Sequence, residues 1–94
     1  MNELTLIIPA KNEKESLPKV LQNLKRHNYN VIVSLKQNDL DTINSIKNFD
    51  VIVHHQTGIG YGNSIIEGIN KCTTKYFCIF NADGSFEIKD LEKM

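Results

Sequence analysis

The sequence predicts an α/β chain, and three observations carry that reading. Short apolar, β-rich runs at residues 4–8, 31–35, 51–53 and 76–80 alternate with three stretches of helical periodicity. The last run is apolar or aromatic throughout, the composition of a strand covered on both faces. It then turns abruptly polar, into Asn81-Ala82-Asp83-Gly84-Ser85. The order β-α-β-α-β-α-β fits a three-layer, Rossmann-like, mostly parallel four-stranded sheet with helices on both faces and right-handed crossovers.

Each element has its own local justification. Leu4-Thr5-Leu6-Ile7-Ile8 is a strand stopped by Pro9, and Ala10-Lys11-Asn12-Glu13 is the polar loop at its carboxyl end. Ser16 is a good N-cap for the first helix, and Pro18 falls in the first turn, where its missing donor costs little. Leu17, Val20, Leu21 and Leu24 recur at helical spacing. Lys25, Arg26 and His27 close that helix at its negative end, and Asn28-Tyr29-Asn30 is the turn. Val31-Ile32-Val33-Ser34-Leu35 is the second strand. The loop after it offers Asp39 or Asp41 as the cap of a short helix with Ile43 and Ile46 on its apolar stripe. Val51-Ile52-Val53 is the third strand, followed by Gly58-Ile59-Gly60-Tyr61-Gly62-Asn63-Ser64 and a helix that should bury Ile65, Ile66, Ile69 and Cys72. Leu91 belongs to a final helix that the sequence barely begins.

Composition narrows the function. The 94 residues make one small domain, 1–94, with 40% hydrophobic residues and 11 basic side chains against 11 acidic. That balance gives no electrostatic reason to expect nucleic acid or an anionic membrane as partner. No run approaches the roughly 20 apolar residues of a membrane span, and no signal peptide opens the chain, so a cytoplasmic location is expected. Cys72 and Cys78 read as small core residues, and a disulfide is not expected there. His54 and His55 are neighbours in a strand end, facing opposite ways, and so structural or exposed.

Two stretches carry chemistry. A strand that ends in Asn81-Ala82-Asp83 offers oxygen ligands for a hard cation such as magnesium at the sheet edge where ligands bind; equally, Asp-Gly-Ser is common turn chemistry. The alternating glycines Gly58, Gly60 and Gly62 before a helix let a backbone approach an anion. Tight turning and close packing explain them as well, and better.

Together these blocks resemble the family-2 glycosyltransferases, especially the branch of dolichyl-phosphate mannose or glucose synthases. Ile7-Ile8-Pro9-Ala10-Lys11-Asn12-Glu13 is similar to that family's opening strand and Pro-Ala-Tyr-Asn-Glu loop. The glycine loop, with Gly68 further on, is similar to its Gly-Tyr-Gly helix start, and Asn81-Ala82-Asp83 to its Asp-x-Asp motif. The resemblance implies the nucleotide-binding half of an A-type domain that takes a nucleotide-diphosphate sugar for transfer to an acceptor, a lipid phosphate being one candidate. It implies that Pro9, Ala10, Lys11, Glu13, Asp39, Gly58 and Gly60 bind nucleotide, with Asp39 or Asp41 near the base or ribose. Asp83, with Asn81 beside it, would hold Mg2+ or Mn2+.

Three positions depart from the pattern. Lys11 replaces the usual Tyr and supplies a cation that could meet phosphate. Ser34-Leu35-Lys36-Gln37 stands where Asp-Asp-Gly-Ser is usual, and Asn81 stands in place of the first Asp. The acceptor half and general base of the family lie beyond these motifs. The competing readings are a nucleotide-binding module without catalysis and a structural, oligomerising α/β domain. Without the family's later strands to pair along it, the strand at residues 76–80 would form an apolar edge open to a second copy, which predicts a homo-oligomer or else poor solubility.

Overall fold

The computed structural model describes residues 4–25 and 29–80. Its elements are β1 (Leu4–Pro9), α1 (Leu17–Lys25), β2 (Asn30–Lys36), α2 (Leu40–Ser45), β3 (Ile52–Gln56), α3 (Tyr61–Lys71) and β4 (Tyr76–Ile79). All four strands are parallel, in the order β3-β2-β1-β4. The chain thus winds outward from β1 to β3 and then crosses back to the far side of β1, the doubly wound plan expected.

One face of the sheet holds the main core. Leu6 and Ile8 of β1 and Val31, Val33 and Leu35 of β2 pack with Leu17, Val20, Leu21 and Leu24 of α1 and with Ile46. The predicted apolar stripe of α1 is buried at all four positions. Ser16 directly precedes that helix, but its hydroxyl donates to the Glu13 carboxylate. Pro9 is the last residue of β1 rather than the residue that stops it: it pairs in register with Ser34, and the ladder continues as Ala10 N–H donates to the Ser34 carbonyl at 2.9 Å.

The other face is covered by α3, which packs over β1, β2 and β3. Here the sequence expectation needs correction. The buried positions of α3 are Ser64 and Gly68, while Ile66 is 56% exposed and Ile65, Ile69 and Cys72 are only half-buried. The helix lies too close to the sheet for branched side chains on its contact line. A Cβ added at Gly68 would stand 2.6 Å from Ile7 Cγ2, and Ser64 Oγ donates to the Ser34 carbonyl at 2.9 Å. The isoleucines flank this line instead of forming it.

Two strands also differ from expectation. β3 begins at Ile52 and runs on to Gln56, because His54, His55 and Gln56 continue the parallel register against Ser34, Leu35 and Lys36. The two histidines therefore lie inside the strand. β4 forms one edge of the described sheet, with Tyr76 and Phe77 exposed and Cys78 buried, so it is not covered on both faces. Burial raises the Cys78 thiol above its ordinary pKa. Arg26, His27, Asn28, Asn81, Asp83 and Leu91 lie outside the described residues. No helix among the described residues is long and apolar enough to cross a membrane.

Candidate functional site

The carboxyl ends of β1, β2 and β3 open into a single cleft of about 690 Å³. Pro9, Lys36 and Gln56, the last residues of those strands, form its floor, and Gly60, Tyr61 and Ser64 at the start of α3 form one wall. Parallel strands place all their carboxyl ends on one side, which is why three chain segments distant in sequence meet there.

Most of the sequence candidates converge on this cleft. Pro9, Ala10, Lys11, Glu13, Asp39 and Gly60 all line it. Gly58, also a sequence candidate, is not among the residues that line it. Its N–H donates to Glu67 Oε2 at 2.7 Å and its carbonyl accepts from Gln56 Nε2 at 3.1 Å. Asp39 and Asp41 both face the cleft, but they differ in freedom. Asp39 precedes α2 and accepts from Asn12 N–H at 2.8 Å and from the Thr42 hydroxyl at 3.0 Å. Among the described residues Asp41 meets only Lys14, at 3.9 Å, with both side chains largely in water, a contact worth little.

The glycine loop is held from behind by α3. Gln56 Nε2 donates to the carbonyls of Gly58 and Gly60, at 3.1 and 3.0 Å. The Glu67 carboxylate accepts from Thr57 N–H at 2.8 Å, Gly58 N–H and the Thr57 hydroxyl at 3.2 Å, and it meets His54 Nε2 at 2.8 Å. The Thr57 amide, the His54 ring and the Gly58 amide hold its pKa down to about 2. Gly60 is where a glycine is required: its φ of 95° lies in the left-handed region, and it ends the loop as the N-cap of α3. No acidic side chain occupies the first turn of α3, and no side chain caps it.

The chain that builds this cleft matches glycosyl transferase family 2 over residues 5–94. The chain belongs to this family. It is 31% identical over 99 residues to an uncharacterized protein of Methanocaldococcus jannaschii, covering 99% of this chain and 40% of that protein. It is 30% identical over 92 residues to uncharacterized glycosyltransferases of Mycobacterium tuberculosis and Mycobacterium bovis, covering 97% of this chain and 41% of each. The family 2 chain thus spans about two-fifths of the length of the curated relatives it matches. No solved structure gives a significant match.

Within this family 2 chain, sequence reasoning missed several parts of the cleft. In the sequence Lys36 stands out only as a departure from a motif, yet it lines the cleft with Gln56, Tyr61 and Ser64. The signal that could have found it is positional: it is the last residue of a parallel strand. Glu67, mid-helix and polar, carried no motif at all. Asn81 and Asp83 fall outside the described residues, and among those described no group of three or more His, Cys, Asp or Glu could hold a metal ion.

Proposed function

We propose that this chain is the donor-binding portion of a glycosyltransferase, taking a nucleotide-diphosphate sugar in the cleft at the carboxyl edge of its sheet. The observation that carries the reading is the convergence of Pro9–Glu13, Lys36–Asp41 and Gly60–Ser64 on one cleft, in a chain of family 2. In this reading the nucleoside rests against Pro9, Ala10 and Glu13, with Asp39 or Asp41 near the base or ribose. Asp41 is the freer of the two, since both oxygens of Asp39 already accept hydrogen bonds. The phosphates lie toward the α3 N-terminus, whose dipole and backbone N–H groups favour negative charge. A Mg2+ or Mn2+ ion held by Asp83, with the Asn81 amide oxygen beside it, would neutralise charge that develops on the leaving nucleoside diphosphate. The acceptor, for which a lipid phosphate is one candidate as in the dolichyl-phosphate sugar synthases, would be engaged by sequence beyond these motifs.

Calorimetric titration with uridine or guanosine diphosphate tests this. Binding is expected in the presence of Mg2+ or Mn2+, with weaker binding in Asp83→Ala and stronger ion binding in Asn81→Asp, which adds one negative charge. Equal affinity in Asp83→Ala would remove that residue from the ion site. Absence of binding to either nucleotide under all conditions would overturn the donor reading.

A further inference from the structure

We infer that Glu67 is a positioning residue for the cleft: from behind the wall, its carboxylate sets the shape of the loop 57–60 that leads Gly60, Tyr61 and Ser64 into it. The inference rests on the donor reading for what the cleft binds. Glu67 itself does not line the cleft. It lies within α3 with its side chain 18% exposed, against His54 of β3.

β3 ends at Gln56, and beyond it side chains hold the backbone of the loop. Gln56 Nε2 bridges the Gly58 and Gly60 carbonyls, and Asn63 Nδ2 donates to the Ile59 carbonyl at 2.6 Å. Those bonds take up carbonyls; the amides go to Glu67. The successive N–H groups of Thr57 and Gly58 donate to its two carboxylate oxygens, at 2.8 and 2.7 Å. Adjacent amides converging in this way form the concavity that elsewhere takes a bound anion, and here the protein's own carboxylate occupies it. His54 Nε2 and the Thr57 hydroxyl meet the same carboxylate, at 2.8 and 3.2 Å. His54 is itself fixed in the sheet, in register with Ser34. Glu67 thus anchors the loop to strand and helix at once.

The cleft wall follows from that anchor. Gly60 comes two residues after the Gly58 amide, and its left-handed φ turns the chain into α3. Its carbonyl accepts from the Ser64 N–H at 3.1 Å, which links the loop to the wall. The fit leaves little slack: a Cβ at Gly58 would stand 2.9 Å from Asn63 Cγ. Removing the carboxylate leaves two amides without their acceptor, and the loop reshapes to satisfy them. A site is only as exact as the residues that hold its walls, so ligand affinity falls although no ligand contact is lost.

The experiment compares Glu67→Ala, Glu67→Gln and Ile69→Ala with the parent chain. Ile69, half-buried on the same helix, serves as a purely structural control. Calorimetric titration with uridine or guanosine diphosphate and Mg2+ should show Glu67→Ala binding about tenfold more weakly, as when the loop keeps its shape for about a tenth of the time. Glu67→Gln retains the length and one acceptor oxygen, so its affinity should fall between the two. Ile69→Ala should lower the melting temperature and leave the affinity within about twofold of the parent. Circular dichroism checks folding, and Glu67→Gln carries the comparison if Glu67→Ala does not fold. Unchanged affinity in the folded Glu67 variants, or an equal loss in Ile69→Ala, overturns the inference. If the parent binds neither nucleotide, the donor reading fails, and amide hydrogen exchange then decides the brace by itself. Faster exchange at Ser64 in the folded Glu67 variant than in Ile69→Ala sustains the brace, and equal exchange overturns it.

Discussion

The Thr42 hydroxyl donates to Asp39 Oδ1 at 3.0 Å while accepting from the Glu13 N–H at the same distance, so one buried group ties α2 to the loop after β1. The second oxygen of Asp39 holds the Asn12 N–H, at 2.8 Å. Asn12 has a φ of 54°, a left-handed conformation in which a non-glycine residue needs such support. The shape of the cleft wall around Glu13 therefore depends on a residue that does not line it.

Thr42→Val keeps the side-chain volume and removes both hydrogen bonds. Because Thr42 is fully buried, the Glu13 N–H is left without its partner, at a cost of about 1–3 kcal/mol. Urea denaturation should show a lower midpoint with an unchanged slope. A nucleoside diphosphate should also bind more weakly as the loop relaxes. An unchanged midpoint would show that water replaces the hydroxyl.

Gly68→Ala sets two effects against each other. Helix propensity favours Ala by about 1 kcal/mol, but the new Cβ would meet Ile7 Cγ2 at 2.6 Å in a fully buried contact. Overpacking of that kind costs about 1–3 kcal/mol, so the variant should be less stable. Adding Ile7→Ala should cost less than the sum of the single changes, because the two positions share one space. A stabilised Gly68→Ala would mean that α3 can lift from the sheet freely.

Stability should fall on the acid side through Glu67. Its folded pKa of about 2 is below the ordinary 4.5, so its contribution is fully present above that ordinary value and is lost as pH falls toward 2. Thermal melts between pH 5 and pH 2 should show a steeper loss in the parent chain than in Glu67→Gln. Parallel curves would mean that the loop donors do not depend on this carboxylate.

The edge strand β4 is expected to pair with a second copy, antiparallel across a two-fold axis. Tyr76 and Phe77 are 55% and 47% exposed at an edge of the described sheet, and an apolar edge invites such pairing. Light scattering after size exclusion should give a dimer or higher oligomer, and Phe77→Lys should shift it toward monomer. A monomer at high concentration in the parent chain would exclude this contact.

Local patterns in the chain already determined the order of its elements, the buried stripe of α1 and the glycine at the start of α3. Each depends on residues a few positions apart, whose periodicity or backbone freedom acts without distant partners. The positions from Pro9 to Glu13 and at Asp39 were also legible, because a strand end in an α/β chain marks where a cleft opens. Only the tertiary structure decided that Lys36 shares this cleft, that Glu67 braces the glycine loop beside His54, and that Ser64 and Gly68 rather than Ile66 meet the sheet. Those facts depend on strand order and register, which bring together residues tens of positions apart. In a sheet a shift of a single residue turns each side chain to the opposite face, so no local pattern could have placed them.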